Sequence, residues 1–324
     1  MRLLVALGGN ALLERGERPD EAVQRRHVRS AVAALAPLMV DHDVVICHGN
    51  GPQVGLLALE SEQDNSLDRP FPLDALGAET QGMIGYWLTQ ELANAGVRRP
   101  VVGVLTQTLV DATDPAFQSP TKFVGRLYDH DEADDLARTH GWRVAPDGDG
   151  WRRVVPSPRP LRLVEEDTIR ELVDSGAVVV CAGGGGIPVI LREGRLVGVE
   201  AVVDKDLTAA LLARALGADR LILLTDVPAV MRGFGTPHAR EMRRLTLADV
   251  AGMSFPAGSM GPKVAACVEF VRTTGHAASI GALSDVADVL EGNAGTTILP
   301  EVPVPTAPTR TFIRASTGAS TRGG

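Results

Sequence analysis

Three lysines and four glycine-bearing turns hold most of the chemistry this chain could perform. Lys and Arg together number 32, yet only Lys122, Lys205 and Lys263 are lysine and the other 29 are arginine. A chain that supplies positive charge almost everywhere as guanidinium keeps lysine where a compact ammonium on a flexible stem is needed. Lys263 follows Gly258-Ser259-Met260-Gly261-Pro262 at the start of a helical pattern, Lys205 stands between Asp204 and Asp206, and Lys122 follows Pro120-Thr121 in a polar stretch. In phosphoryl transfer the transition state spreads negative charge over the moving group, and the protein's main task is to position the reactants and neutralise that charge. For Lys205 alone a surface ion pair explains the neighbouring carboxylates equally well. The set of three points to phosphoryl transfer.

The glycine turns fit the same chemistry. Gly8-Gly9-Asn10-Ala11, His48-Gly49-Asn50-Gly51-Pro52-Gln53 and Gly183 to Gly186 each follow a strand-like run, and Gly258 to Lys263 opens a helix. Glycine lets the backbone approach a ligand closely and leaves N–H groups unshielded. At a helix start those N–H groups and the helix dipole favour an anion. Pro52 and Pro262 read as first-turn prolines, which places the preceding glycines at two helix mouths. Several such turns on successive strands read better as one shared phosphate site than as separate structural turns. No Gly-x-x-x-x-Gly-Lys-Ser/Thr loop occurs, and no Gly-x-Gly-x-x-Gly opens the first unit, so a nicotinamide Rossmann reading loses ground. His48 reads as a satisfied group at a strand end, and no His/Cys cluster has zinc spacing.

These residues need a frame to bring them together. Runs at 3–7, 44–47, 101–105, 178–181, 221–224 and 278–281 read as buried strands, and segments near 20–39, 79–95, 168–174, 207–216 and 263–273 as helices. That alternation predicts a mostly parallel sheet covered on both faces, with ligands at the carboxyl ends of its strands. Residues 112–160 break the rhythm with polar sequence, Asp147-Gly148-Asp149-Gly150 and three closing prolines, and read as an inserted lid subdomain with a hairpin near 142–155. A second hairpin is expected at 188–199, turning at Glu193-Gly194. The tail 302–324, rich in Pro, Thr, Ser and Gly, is expected to be disordered and to follow one domain over 1–301. The 324 residues are 44% apolar, enough for a sizeable core, and no run approaches the ~20 apolar residues of a membrane helix. A net charge of -8 argues against a nucleic-acid partner, and Cys47, Cys181 and Cys267 read as buried thiols of the cytoplasm.

The runs GGNAL (8–12), HGNGPQVG (48–55), TQGMIGY (80–86), PTK (120–122), GGGGIPV (183–189), EAVVDKDL (200–207), LTDV (224–227) and GSMGPKV (258–264) resemble the motifs of the carbamate kinases, within the amino-acid-kinase superfamily. They occur in that family's order and span about residues 3–299. The resemblance implies a three-layer α/β/α fold with a protruding subdomain, and a homodimer. It implies reversible transfer between ATP and carbamate, with magnesium arriving with the nucleotide, in arginine metabolism and in the direction of ATP supply. By the same resemblance Lys205 and Lys263 grip the moving phosphoryl group, Asp206 holds the lysines in place, and Lys122 reaches in from the subdomain. Gly8, Gly9, Asn10, Gly49, Asn50 and Gly51 line the carbamate and phosphate site, while Gly184, Gly185, Thr225, Asp226, Val227 and Met260 border the nucleotide. Where the family continues Pro-Val-Gly-Pro after Pro-Thr-Lys, this chain has Phe123-Val124-Gly125-Arg126, close to the acceptor. A kinase for N-acetylglutamate or aspartate, and a non-catalytic sensor of nucleotide or carbamoyl phosphate on the same fold, are the alternatives. The three lysines and Asp206 weigh against the sensor.

Overall fold

The structure, a computed structural model, describes residues 1–14, 16–255 and 260–301. The expected tail and the Gly258-Ser259 part of the fourth glycine turn lie outside the described residues.

An eight-stranded sheet runs in the order Arg244–Thr246, Thr296–Leu299, Ala278–Ala282, Arg220–Thr225, Arg2–Leu7, Asp43–His48, Val178–Cys181 and Val101–Gly103. Every neighbouring pair is parallel except Ala278–Ala282 against Thr296–Leu299. Successive strand side chains point to opposite faces. Leu4, Ala6, Val45, Cys47, Val179 and Cys181 therefore pack on one side, with Ile169, Ala209, Val264 and Phe270 from the helices Glu166–Asp174, Lys205–Ala215 and Met260–Thr274. Leu3, Val5, Leu7, Val44, Ile46 and Val180 pack on the other, with Val28, Ile84, Leu88 and Val289 from Glu21–Leu35, Leu73–Asn94 and Val286–Glu291. Each such fully buried aliphatic side chain contributes about 1.5–3 kcal/mol of burial. The mostly parallel, doubly covered sheet expected from the alternation is the one observed, in the three layers that the resemblance implies.

Residues 122–155 build a smaller unit. Strands Lys122–Tyr128, Gly150–Val155 and Arg143–Asp147 form an antiparallel sheet, with the helix His130–His140 between the first two in sequence. That helix starts at Asp129, whose carboxylate accepts from the Glu132 N–H, and stops at Gly141 with φ 68°. The unit rests on the body through Val124 and Val155, which pack with Val54, Ala58, Leu73 and Leu76. A separate four-stranded sheet joins Arg195–Gly198, Ile187–Arg192, Gln107–Val110 and Pro160–Leu163. Its hairpin turns at Glu193 and Gly194, both at positive φ, as a two-residue turn of this hand requires.

Candidate active site

The carboxyl ends of the central strands open into a cleft of about 960 Å³. Gly8, Gly9, Gly49, Asn50, Gly51 and Gly184 form one wall, and Thr225, Asp226, Val227, Ala229 and Met231 another. Lys205, Asp206 and Lys263 sit at its floor, and Lys122, Phe123 and Val124 enter from the small unit. Apart from Gly185, and Asn10 whose side chain lies outside the described residues, the expected residues line this cleft although they span most of the chain.

The floor is built by two helix starts. Asp204 caps the helix Lys205–Ala215 by accepting from the N–H groups of Asp206 and Leu207, which places Lys205 in the first turn. The helix Met260–Thr274 brings Lys263 to the same point. Lys205 Nζ donates to Asp206 Oδ1 at 2.5 Å, and Lys263 Nζ donates to Asp206 Oδ2 at 3.0 Å. One carboxylate therefore aims two ammonium groups. Burial works against the charge on Asp206, but Lys205 and Lys263 outweigh it and hold the carboxyl down at about 2. Burial also works against Lys205, yet Asp206 and then Asp204 carry its net shift upward. Lys263 shifts downward, first from burial and then from the like charge of Lys205. The two lysines are thus unequal although they share a partner.

The glycine turns meet at short range. A side chain at Gly49 would come within 2.9 Å of the Gly9 backbone nitrogen, so the first two turns touch through bare backbone. Gly184, at φ 65°, stands against Asn50: a Cβ there would meet the amide at 2.2 Å. Asn50 in turn donates to Thr80 Oγ1 at 2.9 Å. Gly185 lies behind this wall, with its carbonyl accepting from Thr108 and Thr208. Asn10 follows in the short turn Gly9–Ala11, and its side chain lies outside the described residues. Thr225 donates to Asp226 at 3.0 Å, and Met260 lines the cleft beside Phe255.

Two supporting residues, Thr80 and Gln81, had no role assigned from sequence. Gln81 is buried; its Nε2 donates to the carbonyls of Thr106 and Gly183, and its Oε1 accepts from the Thr106 N–H. Both lie on the face of Leu73–Asn94 that also buries Ile84 and Leu88. Polar residues on an otherwise apolar helical face were the available signal. His48 is also buried, its Nδ1 lies 2.9 Å from the Gly49 carbonyl, and burial holds it at about 4 despite that bond, so it is neutral. Of the two departures after Pro-Thr-Lys, Phe123 lines the cleft. Arg126 instead pairs with Glu132 and stacks over Tyr128 within the small unit. Cys47, Cys181 and Cys267 are buried free thiols.

Two ammonium groups on a buried carboxylate line a cleft walled by glycine turns, an arrangement able to neutralise the charge of a small phosphoryl group. The chain belongs to the amino acid kinase family, whose model matches residues 1–282. Among its relatives are carbamate kinases. It is 51% identical over 302 residues to the carbamate kinase of Rhizobium meliloti, covering 92% of this chain and 93% of that one. It is 48% identical to that of Haemophilus influenzae, covering 92% and 96%. The solved structure of Giardia lamblia carbamate kinase bound to AMP-PNP superposes with a TM-score of 0.86 at 40% identity, covering 93% of this chain and 98% of that one. An isopentenyl phosphate kinase from T. acidophilum, at 16% identity and a TM-score of 0.53, shares the fold alone.

Proposed function

We infer that this chain catalyses ATP + carbamate = ADP + carbamoyl phosphate, running toward ATP. The observation that carries the inference is the Lys205–Asp206–Lys263 arrangement at the floor of the glycine-walled cleft. The similarity to carbamate kinases over nearly the whole chain supports carbamate as the acceptor rather than N-acetylglutamate or aspartate.

Carbamate is an anion, so its oxygen needs no general base, and neutral, buried His48 is left to hold the Gly49 carbonyl. Each lysine gives one N–H to Asp206 and keeps others for the phosphoryl oxygens. Asp206 fixes where those donors point before the substrate arrives, so little reorganisation remains at the moment of transfer. The N–H groups of Gly8 and Gly49 donate to the Leu224 and Leu7 carbonyls, so those of Gly9, Asn50 and Gly51 serve the transferring group and the acceptor. Gly184 and Gly185 shape the wall behind Asn50, while Thr225, Asp226, Val227 and Met260 border the nucleotide. Lys122 meets the acceptor from the small unit, which acts as a lid.

Magnesium belongs to this proposal as a companion of the nucleotide. Asp204 and Asp206 are engaged by lysines, which suits a hard cation held largely by phosphate oxygens and water. When bound, it would neutralise phosphate charge. A homodimer, a cytoplasmic setting and a place in arginine metabolism complete the proposal.

The test is a coupled assay of ATP formed from ADP and carbamoyl phosphate, with acetyl phosphate as control. Equal or faster use of acetyl phosphate, or no ATP from either, would overturn carbamate as the acceptor.

A further inference from the structure

The segment from Glu200 to Asp204 runs between the small unit and the body, and its two carboxylates are used in the same way. Asp204 Oδ1 accepts from the N–H groups of Asp206 and Leu207 at the start of one helix, while Oδ2 accepts from Lys122 Nζ at 2.9 Å. Glu200 Oε2 accepts from the Leu73 N–H at the start of another helix, while Oε1 accepts from Arg153 Nη2 at 2.5 Å. Each carboxylate thus ties a helix N-terminus of the body to a cation of the 122–155 unit. Between them the Val202 N–H donates to the Pro156 carbonyl at 3.0 Å.

The two ties differ in kind. The Arg153 side chain is 13% exposed, and its guanidinium lies 4.3 Å from the Trp142 ring centroid. Such a planar group, bonded and stacked, is a fixed joint. The Lys122 side chain is 43% exposed, and a single ammonium contact leaves it two further N–H donors. It lines the cleft together with Asp204, Lys205 and Lys263.

We propose that Asp204 is the positioning residue for Lys122: with Glu200 it clasps the small unit over the cleft, and its charge aims the ammonium at the acceptor. Glu200 and Arg153 form the permanent end of the clasp, and Asp204 and Lys122 the working end. Asp204 also joins the lid to the helix start that bears Lys205 and Asp206, so seating Lys122 and aiming the floor lysines depend on one side chain. The catalytic side of this role rests on the assignment of the cleft to carbamoyl phosphate; the clasp itself does not.

Asp204→Asn separates the two duties, since an amide oxygen still caps the helix but no longer carries charge. With ADP saturating, the KM for carbamoyl phosphate should rise about tenfold, with kcat within about threefold of wild type and the melting temperature within about 2 °C. The double variant Lys122→Ala/Asp204→Asn should be no more than about twofold worse than Lys122→Ala, because two residues acting through one contact are not additive. Asp204→Glu, which keeps the charge on a longer stem, should recover part of the lost affinity while melting lower. An unchanged KM in Asp204→Asn beside an impaired Lys122→Ala, or effects that multiply in the double variant, would overturn the positioning role while leaving the reaction assignment intact. Limited chymotrypsin digestion reads the clasp without turnover. Cleavage within 122–155 should quicken several-fold and alike in Asp204→Asn and Lys122→Ala. Wild-type resistance in both would refute the clasp whatever the acceptor is, whereas a wild-type chain that makes no ATP from carbamoyl phosphate would refute the reaction alone.

Discussion

The cleft floor and the small unit 122–155 present lysine differently. Lys205 and Lys263 stand on helix starts of the three-layer body, each 14% exposed and bonded to a carboxylate that is 6% exposed. Lys122 stands on a small sheet joined to that body, with 43% of its side chain exposed. The floor offers charge that is in place before any ligand arrives, and desolvation makes that charge strong. The small unit's charge is also in place, on Asp204 at 2.9 Å, but the exposure of Lys122 makes that contact weaker and less costly to release. Stabilising the moving group calls for the first kind, and admitting and releasing an acceptor calls for the second.

The sharpest way to break this contrast is to enlarge the floor cations. Lys205→Arg and Lys263→Arg should each lower turnover by at least ~100-fold with the fold preserved by circular dichroism, because a planar guanidinium shifts the reacting oxygens by ~1 Å. Near-normal turnover would make these lysines replaceable counter-charges. Removing the shared partner is next. Asp206→Ala leaves two buried ammonium groups without a carboxylate, and urea unfolding should show a loss of about 3–5 kcal/mol. A loss no larger than that of an exposed pair would mean that water already reaches the floor.

Gly184→Ala tests the wall behind both sites. The added methyl would fall onto the Asn50 amide at 2.2 Å in a left-handed conformation, so Asn50 must leave Thr80. Turnover should drop about tenfold, with a smaller change in nucleotide affinity by calorimetry. The mildest test concerns the joint of the lid. Burial pushes Glu62, at the end of the helix Gly51–Gln63, up to about 7 despite Arg153 and Arg126 of the small unit. The folded chain thus keeps a proton that the unfolded chain has lost. Its contribution is fully present below the unfolded value near 4.5 and disappears as pH rises through about 7. Between about pH 5 and about pH 8 the melting temperature of the wild type should fall relative to Glu62→Gln. Parallel curves would show that water solvates this carboxylate.

Regular parts of the molecule were legible because their causes are local. The β-branched run Val178–Cys181 ends where glycines begin, and the strand ends there too. The Leu73–Asn94 helix begins well before Glu79, where the pattern alone placed it, because its start is capped by Glu200, 127 residues away. The edge strand Arg244–Thr246 and its neighbour Thr296–Leu299 escaped notice because they are short and are defined by pairing with each other and with Ala278–Ala282. In the site, the scarcity of lysine singled out all three cleft lysines. Asp204 was seen only as a neighbour of Lys205, since its other partner, Lys122, lies 82 residues away in sequence.

The central place of Arg2–Leu7 has a consequence for how the chain is made. It precedes both of its neighbours in the chain, and it must pair on one side with Asp43–His48 and on the other with Arg220–Thr225. The bond from the Arg2 N–H to Asp219 that accompanies the second pairing spans 217 residues. During translation the nascent chain therefore carries an apolar strand with one hydrogen-bonding edge unfilled until Arg220–Thr225 has left the ribosome. Parallel pairing across such a separation is slow, and an open edge recruits other chains. Yield from the cell should accordingly depend on holding factors that shield the growing chain, more than the stability of the finished sheet would suggest.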